Sequence, residues 1–217
     1  MNNYKIVLLS GDGIGPEISD VSKKILNKLS KKFNFNCEIK EELFGGIAYE
    51  KKGLPAPQET LDECKSSDAV LLACVGDTKY DSVSRNLRPE TGLLKLRSEL
   101  NLFANIRPVK IRNSLIESSS LKKEVIQNVD LVVVRELTSG IYFGEPRGII
   151  KNKNKERAFN TMVYNTSEIR RITKSAQNTV DHIDTAVTNV TRLTSPMLVA
   201  EMVSKYIKKF SGKKGTK

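Results

Sequence analysis

Apolar runs of strand length alternate with segments whose apolar residues recur at helical spacing. Tyr4 to Leu9 is the first such run; Ser10-Gly11-Asp12-Gly13-Ile14-Gly15 is a loop, and Pro16 suits the first turn of a helix reaching about Lys32. Strand, glycine loop and helix open an α/β unit. Cys37 to Leu43 reads as a second strand, Gly45-Gly46 to Gly53 as an irregular connection, and Pro57 opens a helix to about Lys65. Asp68 to Val75 is almost continuously apolar, the signature of a strand covered on both faces in a parallel sheet. Gly76-Asp77-Thr78 then begins a polar loop at a strand's carboxyl end, the usual address of ligand sites in such sheets.

The stretch from Arg88 to Pro108 departs from a simple core-and-surface pattern. With residues 89 to 100 helical, Glu90, Leu93, Leu94 and Arg97 share one face, while Leu96 and Leu100, with Leu93 at the border, form a stripe that can bury against a sheet. Leu102 to Ile106 reads as a short strand, and Pro108 places Arg107 at or beyond its end, where a side chain can reach a cleft. Two readings follow: a pair of surface arginines beside a core helix, or two guanidinium forks that converge on one anion.

Residues 111 to 128 are polar, with a surface helix expected around Ser119 to Gln127, and Asp130 to Val134 is another strand. Arg135 repeats the strand-end placement of Arg107. Tyr142, between Gly140 and Gly144, is either a turn tyrosine packed in the core or a proton donor in a cleft. Lys151 to Arg157 is a charged excursion and Phe159 to Tyr164 a further strand candidate. Val180, Ile183, Val187 and Val190 recur at helical spacing, Thr194-Ser195-Pro196 supplies a cap, and Val199, Met202, Val203, Tyr206, Ile207 and Phe210 form a second stripe. A C-terminal helical hairpin is the expectation, either covering exposed sheet or serving as an association surface.

Composition narrows the chemistry. The 217 residues suffice for one large or two small domains with a real core, and no run resembles a membrane span or signal peptide. Cys37, Cys64 and Cys74 are odd in number and lack metal-type spacing, which fits free thiols in a reducing cytoplasm. His182 is the sole histidine, which argues against a Ser-His-Asp triad or a multi-histidine metal site. The formal net charge of +11 invites nucleic acid as a partner, but lysines and acids are interleaved over most of the chain and no aromatic-basic motif is present. Only the last segment is distinctly basic, with 8 basic against 3 acidic residues from Thr173 to Lys217. The glycine loop is not a dinucleotide fingerprint: its glycines run G-x-G-x-G, and Asp12 and Glu17 place negative charge where a pyrophosphate would sit. A tight turn, or backbone approach to a neutral or cationic group, fits better.

Gly11 to Glu17, the run from Arg88 to Pro108, and Arg135 to Gly148 together resemble the N-terminal signatures of the 3-isopropylmalate dehydrogenases, a branch of the β-decarboxylating dehydrogenases. The resemblance covers roughly residues 4 to 172. It implies an open α/β sheet with helices on both faces, here incomplete: residues 1–108 as the first half of the first domain, 109–172 as part of the second, and 173–217 as an unmatched helical tail. It further implies that Arg97, Arg107 and Arg135 clamp the malate carboxylates, that Glu90, Leu93 and Leu94 line the pocket for the isopropyl group, that Tyr142 assists proton transfer to the enol, and that Ile14 borders the NAD cofactor. The family reaction is oxidation of a secondary alcohol by NAD followed by decarboxylation, assisted by Mg or Mn, in a cytoplasmic homodimer. Full members run to roughly 350 residues, with an internal second domain and a return to the first. The parts that supply the catalytic lysine, the metal-binding aspartates and the adenosine loop have no counterpart in these residues, and Gly76-Asp77-Thr78 replaces a more usual Gly-Gly-Pro turn. Two expectations follow: a shortened or rearranged dehydrogenase with little activity alone, or a non-catalytic assembly protein that keeps half a substrate site.

Overall fold

A computed structural model describes residues 2–152 and 155–180, except the side chain of Val180. The chain divides into two compact units, Met1–Asn101 and Leu102–Lys217. The division precedes the expected boundary at 108/109 because residues on both sides of that boundary belong to one strand, Ala104–Lys110.

In the first unit, β1 (Asn2–Gly11) lies between β2 (Phe35–Glu41) and β3 (Ala69–Cys74), parallel to both. Parallel pairing requires crossovers, supplied by α1 (Gly15–Phe33) after β1 and by α2 (Gly46–Lys52) and α3 (Gln58–Lys65) after β2. The alternation of β1 sorts its side chains: Val7 and Leu9 join Phe44, Ala56, Leu61 and Cys64 in the core, while Leu8 is buried on the opposite face. α4 (Pro89–Glu99) adds Leu96 to that core, with Leu100 packed against it, so the predicted core stripe of this helix forms. α1 packs along all three strands.

Within the stretch Gly45 to Gly53, expected as irregular, Gly46–Lys52 is helical. The physical reason lies far away in sequence: the buried carboxylate of Asp12 accepts hydrogen bonds from the backbone N–H of Gly46 and Ile47, both at 2.9 Å, and so caps α2. Gly46 is required there because a Cβ would stand 1.8 Å from the Tyr80 ring.

In the second unit, β4 (Ala104–Lys110) pairs antiparallel with β5 (Asp130–Glu136), and β6 (Gly148–Asn152) with β7 (Lys155–Phe159). Arg107 therefore sits in mid-strand opposite Val133, not at a strand end. Among the described residues β4 has a neighbour on one side only, and such an edge accommodates Pro108. The helix expected around Ser119 to Gln127 shrinks to the single turn of α5 (Lys123–Ile126), since Ile126 is its one buried residue. The described residues of the charged excursion from Lys151 to Arg157 lie instead on exposed paired strands, Lys151 opposite Glu156 and Asn152 opposite Lys155. Residues 160–164 do not form a strand, because Thr161 Oγ1 donates to the Pro146 carbonyl and the Val163 carbonyl accepts the N–H of Gly140. α6 (Thr166–Val180) packs on β5 and runs through residue 172 without interruption. The stripes proposed for a C-terminal hairpin, Ile183 to Phe210, lie outside the described residues.

Candidate functional site

The β4–β5 register decides which side chains meet. Asn105 opposes Arg135 and Arg107 opposes Val133, so alternation puts Asn105, Arg107 and Arg135 on one face. The opposite face carries Val132, Val134 and Glu136, half-buried on the strand that α6 packs against. Arg107 and Arg135 are exposed, and each is steered by a neighbour. Arg107 Nε donates to Asn105 Oδ1 at 2.6 Å, and Arg135 Nη2 donates to the Tyr142 hydroxyl at 2.9 Å. Guanidinium keeps its charge at any physiological pH and has five donors, so both side chains retain N–H groups for an anion. The Tyr142 oxygen accepts from a cation and thereby leaves its own proton to be donated elsewhere.

Local ties hold that tyrosine. Residues Gly140–Tyr142 form a 3-10 turn, Gly140 N–H donates to the Val163 carbonyl at 2.9 Å, and Arg147 Nη2 donates to the Tyr142 carbonyl at 3.1 Å. Arg147 is itself fixed by Glu145, Nε to Oε1 at 2.9 Å. Tyr142 is half-buried, a partner of Arg135 rather than a core tyrosine. Behind the site, Arg171 of α6 pairs with Glu136 at 3.0 Å, also donates to Thr138 Oγ1, and stacks over Phe103 at 4.8 Å. Burial pushes the Tyr164 phenol above its usual range, with the Glu136 carboxylate adding to the effect.

The first unit carries the remaining expected residues. Glu90 is exposed at the start of α4, and Leu93, Leu94 and Arg97 are half-buried along it. The Glu90 carboxylate lies over Gly76, where a Cβ would stand 2.8 Å from Oε1; with φ at +103° this position favours glycine twice over. Gly76 N–H donates to Asp12 Oδ2 at 2.9 Å, so one carboxylate ties the loop after β1, the start of α2 and the loop after β3 together. Asp77 Oδ1 accepts from Lys79 N–H and caps the next turn. A small cleft opens here, lined by Gly11, Asp12, Gly13, Pro16, Ile47, Lys79 and Tyr80. Lys79 pairs with Glu50 at 2.9 Å, which holds the Glu50 carboxyl below its usual range, and burial pushes the Tyr80 phenol up.

The loop therefore spends its negative charge internally and is a structural tie, the tight-turn reading of Asp12. Ile14 is 63% exposed at the start of α1. Three backbone donors near the loop, the N–H groups of Gly46, Ile47 and Gly76, serve Asp12. The described residues do not gather three or more His, Cys, Asp or Glu around a point that suits a metal ion. Sequence reasoning missed Asn105, Arg147, Arg171 and Tyr164. Asn105 had a signal, its position two residues before Arg107 on a strand; the others act through contacts that spacing does not encode.

Fold and site together define an α/β protein with a basic sheet face that carries Arg107 and Arg135. A family model for isocitrate/isopropylmalate dehydrogenase matches residues 5–210, and the chain belongs to that family. The match runs past Ile172, where the motif resemblance stops. A 3-isopropylmalate dehydrogenase of Prochlorococcus marinus (strain MIT 9312) is 73% identical over 176 residues, covering 81% of this chain and 49% of that protein. One from Aquifex aeolicus (strain VF5) is 51% identical over 174 residues, covering 80% and 48%. The chain thus spans about half the length of the curated relatives it matches. Among solved structures, isocitrate dehydrogenase from Methylococcus capsulatus aligns with a TM-score of 0.67 at 27% identity, over 96% of this chain and 58% of that one. A β-decarboxylating dehydrogenase from Thermococcus kodakarensis, in apo form, aligns at 0.65 and 22% identity, over 96% and 55%, and shares the fold.

Proposed function

We propose that this chain provides the substrate-holding part of an NAD-dependent 3-isopropylmalate dehydrogenase of leucine biosynthesis, which forms 4-methyl-2-oxopentanoate by oxidative decarboxylation. The observation that carries the reading is the shared face of Arg107 and Arg135 with the Arg135–Tyr142 hydrogen bond. Arg107 and Arg135 grip a malate carboxylate through paired N–H donors, and Arg97 is assigned to the same task. Glu90, Leu93 and Leu94 line the isopropyl pocket. Oxidation converts the secondary alcohol to a ketone; the bond to the β-carboxylate then breaks, carbon dioxide leaves, and the electron pair forms an enolate. Tyr142 Oη, polarised by Arg135, delivers the proton that quenches it. NAD as hydride acceptor and Mg or Mn belong to this reading as the family's cofactors, and the described residues make up neither site. The free thiols of Cys37, Cys64 and Cys74 favour a reducing, cytoplasmic setting. A homodimer completes the reading: among the described residues β6 and β7 pair only with each other and are exposed almost throughout, and such two-stranded ladders need added contacts.

Calorimetry tests the site. The chain is expected to bind 3-isopropylmalate, and Arg107→Ala and Arg135→Ala each to weaken binding by about tenfold, the scale of one charge-assisted contact. Equal binding by wild type and both variants, or none by wild type, overturns the reading. NADH formation by the 217-residue chain alone, with Mg or Mn present, is expected to stay at background.

A further inference from the structure

The Arg135–Tyr142 hydrogen bond joins residues seven apart, so the chain between them must fold back over the end of β5. Pairing with the neighbouring segment persists as far as Leu137, whose N–H donates to the Phe103 carbonyl at 2.9 Å, and the turn that carries Tyr142 begins at Gly140. Thr138 and Ser139 make the bend. Their side chains behave differently. Ser139 is buried, and its hydroxyl has no hydrogen-bond partner among the described residues. Thr138 is tied twice to one oxygen: its N–H donates to Glu136 Oε1 at 2.9 Å and its hydroxyl donates to the same atom at 2.7 Å. Arg171 closes a ring, since its Nη2 donates to Glu136 Oε1 at 3.0 Å and also to Thr138 Oγ1. A threonine hydroxyl has one proton to give and lone pairs to accept with, and this one uses both capacities.

The ring stands behind the sheet. Successive side chains of a strand alternate, so Glu136 points toward α6 while Arg135 points to the site. Two consequences follow for the site. Arg171 compensates the Glu136 carboxylate, which leaves the Arg135 guanidinium, one residue away on the other face, to Tyr142 and to an incoming anion. The ring also fixes the direction in which the chain leaves β5, because Arg171 is itself anchored over the ring of Phe103, the residue that Leu137 pairs with. Beyond the bend, Gly140 is held from another side: its N–H donates to the Val163 carbonyl, and the Tyr164 phenol fills the space beside its Cα that a side chain would take. The turn is thus pinned on both sides of Ser139.

We propose that Thr138 is a positioning residue: through its ring with Glu136 and Arg171 it sets the Tyr142 hydroxyl at hydrogen-bond distance from Arg135, while Tyr164 braces the turn from the other side. A displacement of Tyr142 by about 1 Å would break that bond, which spans 2.9 Å. The role rests on the substrate reading for its purpose, the placing of the proton that Tyr142 delivers.

NMR of the 217-residue chain, with its six tyrosines isotope-labelled at the ring carbon that bears the hydroxyl, tests the placement without any ligand. Tyr142→Phe identifies the Tyr142 signal by its loss, and Arg135→Met shows where the signal lies without its donor. Thr138→Val keeps the side chain's shape and removes its hydroxyl; it should move the signal toward the Arg135→Met position, and Thr138→Ser should restore it. Arg171→Lys keeps the charge but loses the planar fork, so it should move the signal the same way by a smaller amount, whether or not Thr138→Val folds. Ser139→Ala should leave the signal in place. In calorimetry Thr138→Val should weaken 3-isopropylmalate binding about fivefold, the scale of one net hydrogen bond. A Tyr142 signal unmoved in folded Thr138→Val or in Arg171→Lys, or moved as far by Ser139→Ala, means that the ring holds the fold and nothing more, and overturns the proposal. Wild type that fails to bind 3-isopropylmalate sinks the substrate reading instead, and the signal still decides the placement.

Discussion

The two units solve different problems with different materials. In the first, Val7, Leu9, Phe44 and Leu61 are excluded from solvent, and a parallel sheet draws helices over them. In the second, among the described residues, the strands sit in two separate ladders and the buried aliphatics are Ile116, Ile126, Leu137 and Ile169. Much of its order comes from polar ties, Arg171 to Glu136 and Arg147 to Glu145 and Tyr142. The groups with chemistry to offer, Arg107, Arg135 and Tyr142, stand on the polar unit. A guanidinium must stay solvated or paired to keep its charge at low cost, so a reactive face is built where little apolar surface surrounds it. The apolar unit carries a half-buried aliphatic pair of its own, Leu93 and Leu94 on α4.

The comparison breaks most readily at Phe44. Its ring is fully buried, and Phe44→Ala should cost the first unit about 4 kcal/mol, read as faster amide exchange along β1 and β3. A loss below about 1 kcal/mol would mean that this core yields as easily as the second unit's. Asp12→Ala comes next. It leaves three backbone donors without their acceptor and should cost about 3 kcal/mol, with exchange of Gly46, Ile47 and Gly76 rising first. In the second unit, Arg171→Met keeps the aliphatic stem over Phe103 but strands the largely buried Glu136 carboxylate, at a cost of about 2 kcal/mol. Exchange along β5 and α6 measures it. A cost above that of Phe44→Ala would reverse the ranking of the two units.

Much of this was legible in the chain, and the reasons differ by element. β1 and α4 announce themselves because period and burial agree, Leu96 and Leu100 packing as their spacing requires, whereas β3, expected to be covered on both faces, has no fully buried residue. The shared face of Arg107 and Arg135 was half legible. Both arginines stood out, but Pro108 pointed to a strand end, and only the pairing partner shows that β4 continues through it on an edge. The helix from Gly46 to Lys52 was hidden, since its cap is an aspartate from another loop and local propensity contains no trace of that bond. Arg147 and Arg171 were invisible for the same reason, their partners being fixed by tertiary approach. The exposed aliphatic stripe of α1, Ile18, Val21, Ile25 and Leu29, shows the converse: period-correct amphipathicity identified the helix and not which side would find cover.

The smallest expected effect sharpens the comparison from the polar surface of the apolar unit. Glu63 accepts from Lys40 at 2.7 Å, and Lys40, with Lys5 beside it, holds the carboxyl below its ordinary value of 4.5. A carboxyl whose pKa is lowered by folding contributes stability above its unfolded value and loses it as pH falls through the folded one. Stability from this group is therefore constant above about pH 5 and drains away below about 4.5. Glu63→Gln should lower the melting temperature slightly at pH 7 and converge with wild type in acid. A gap that persists undiminished at pH 3 would show that Glu63 acts through packing, and that even the rim of the first unit is held by contact more than by charge.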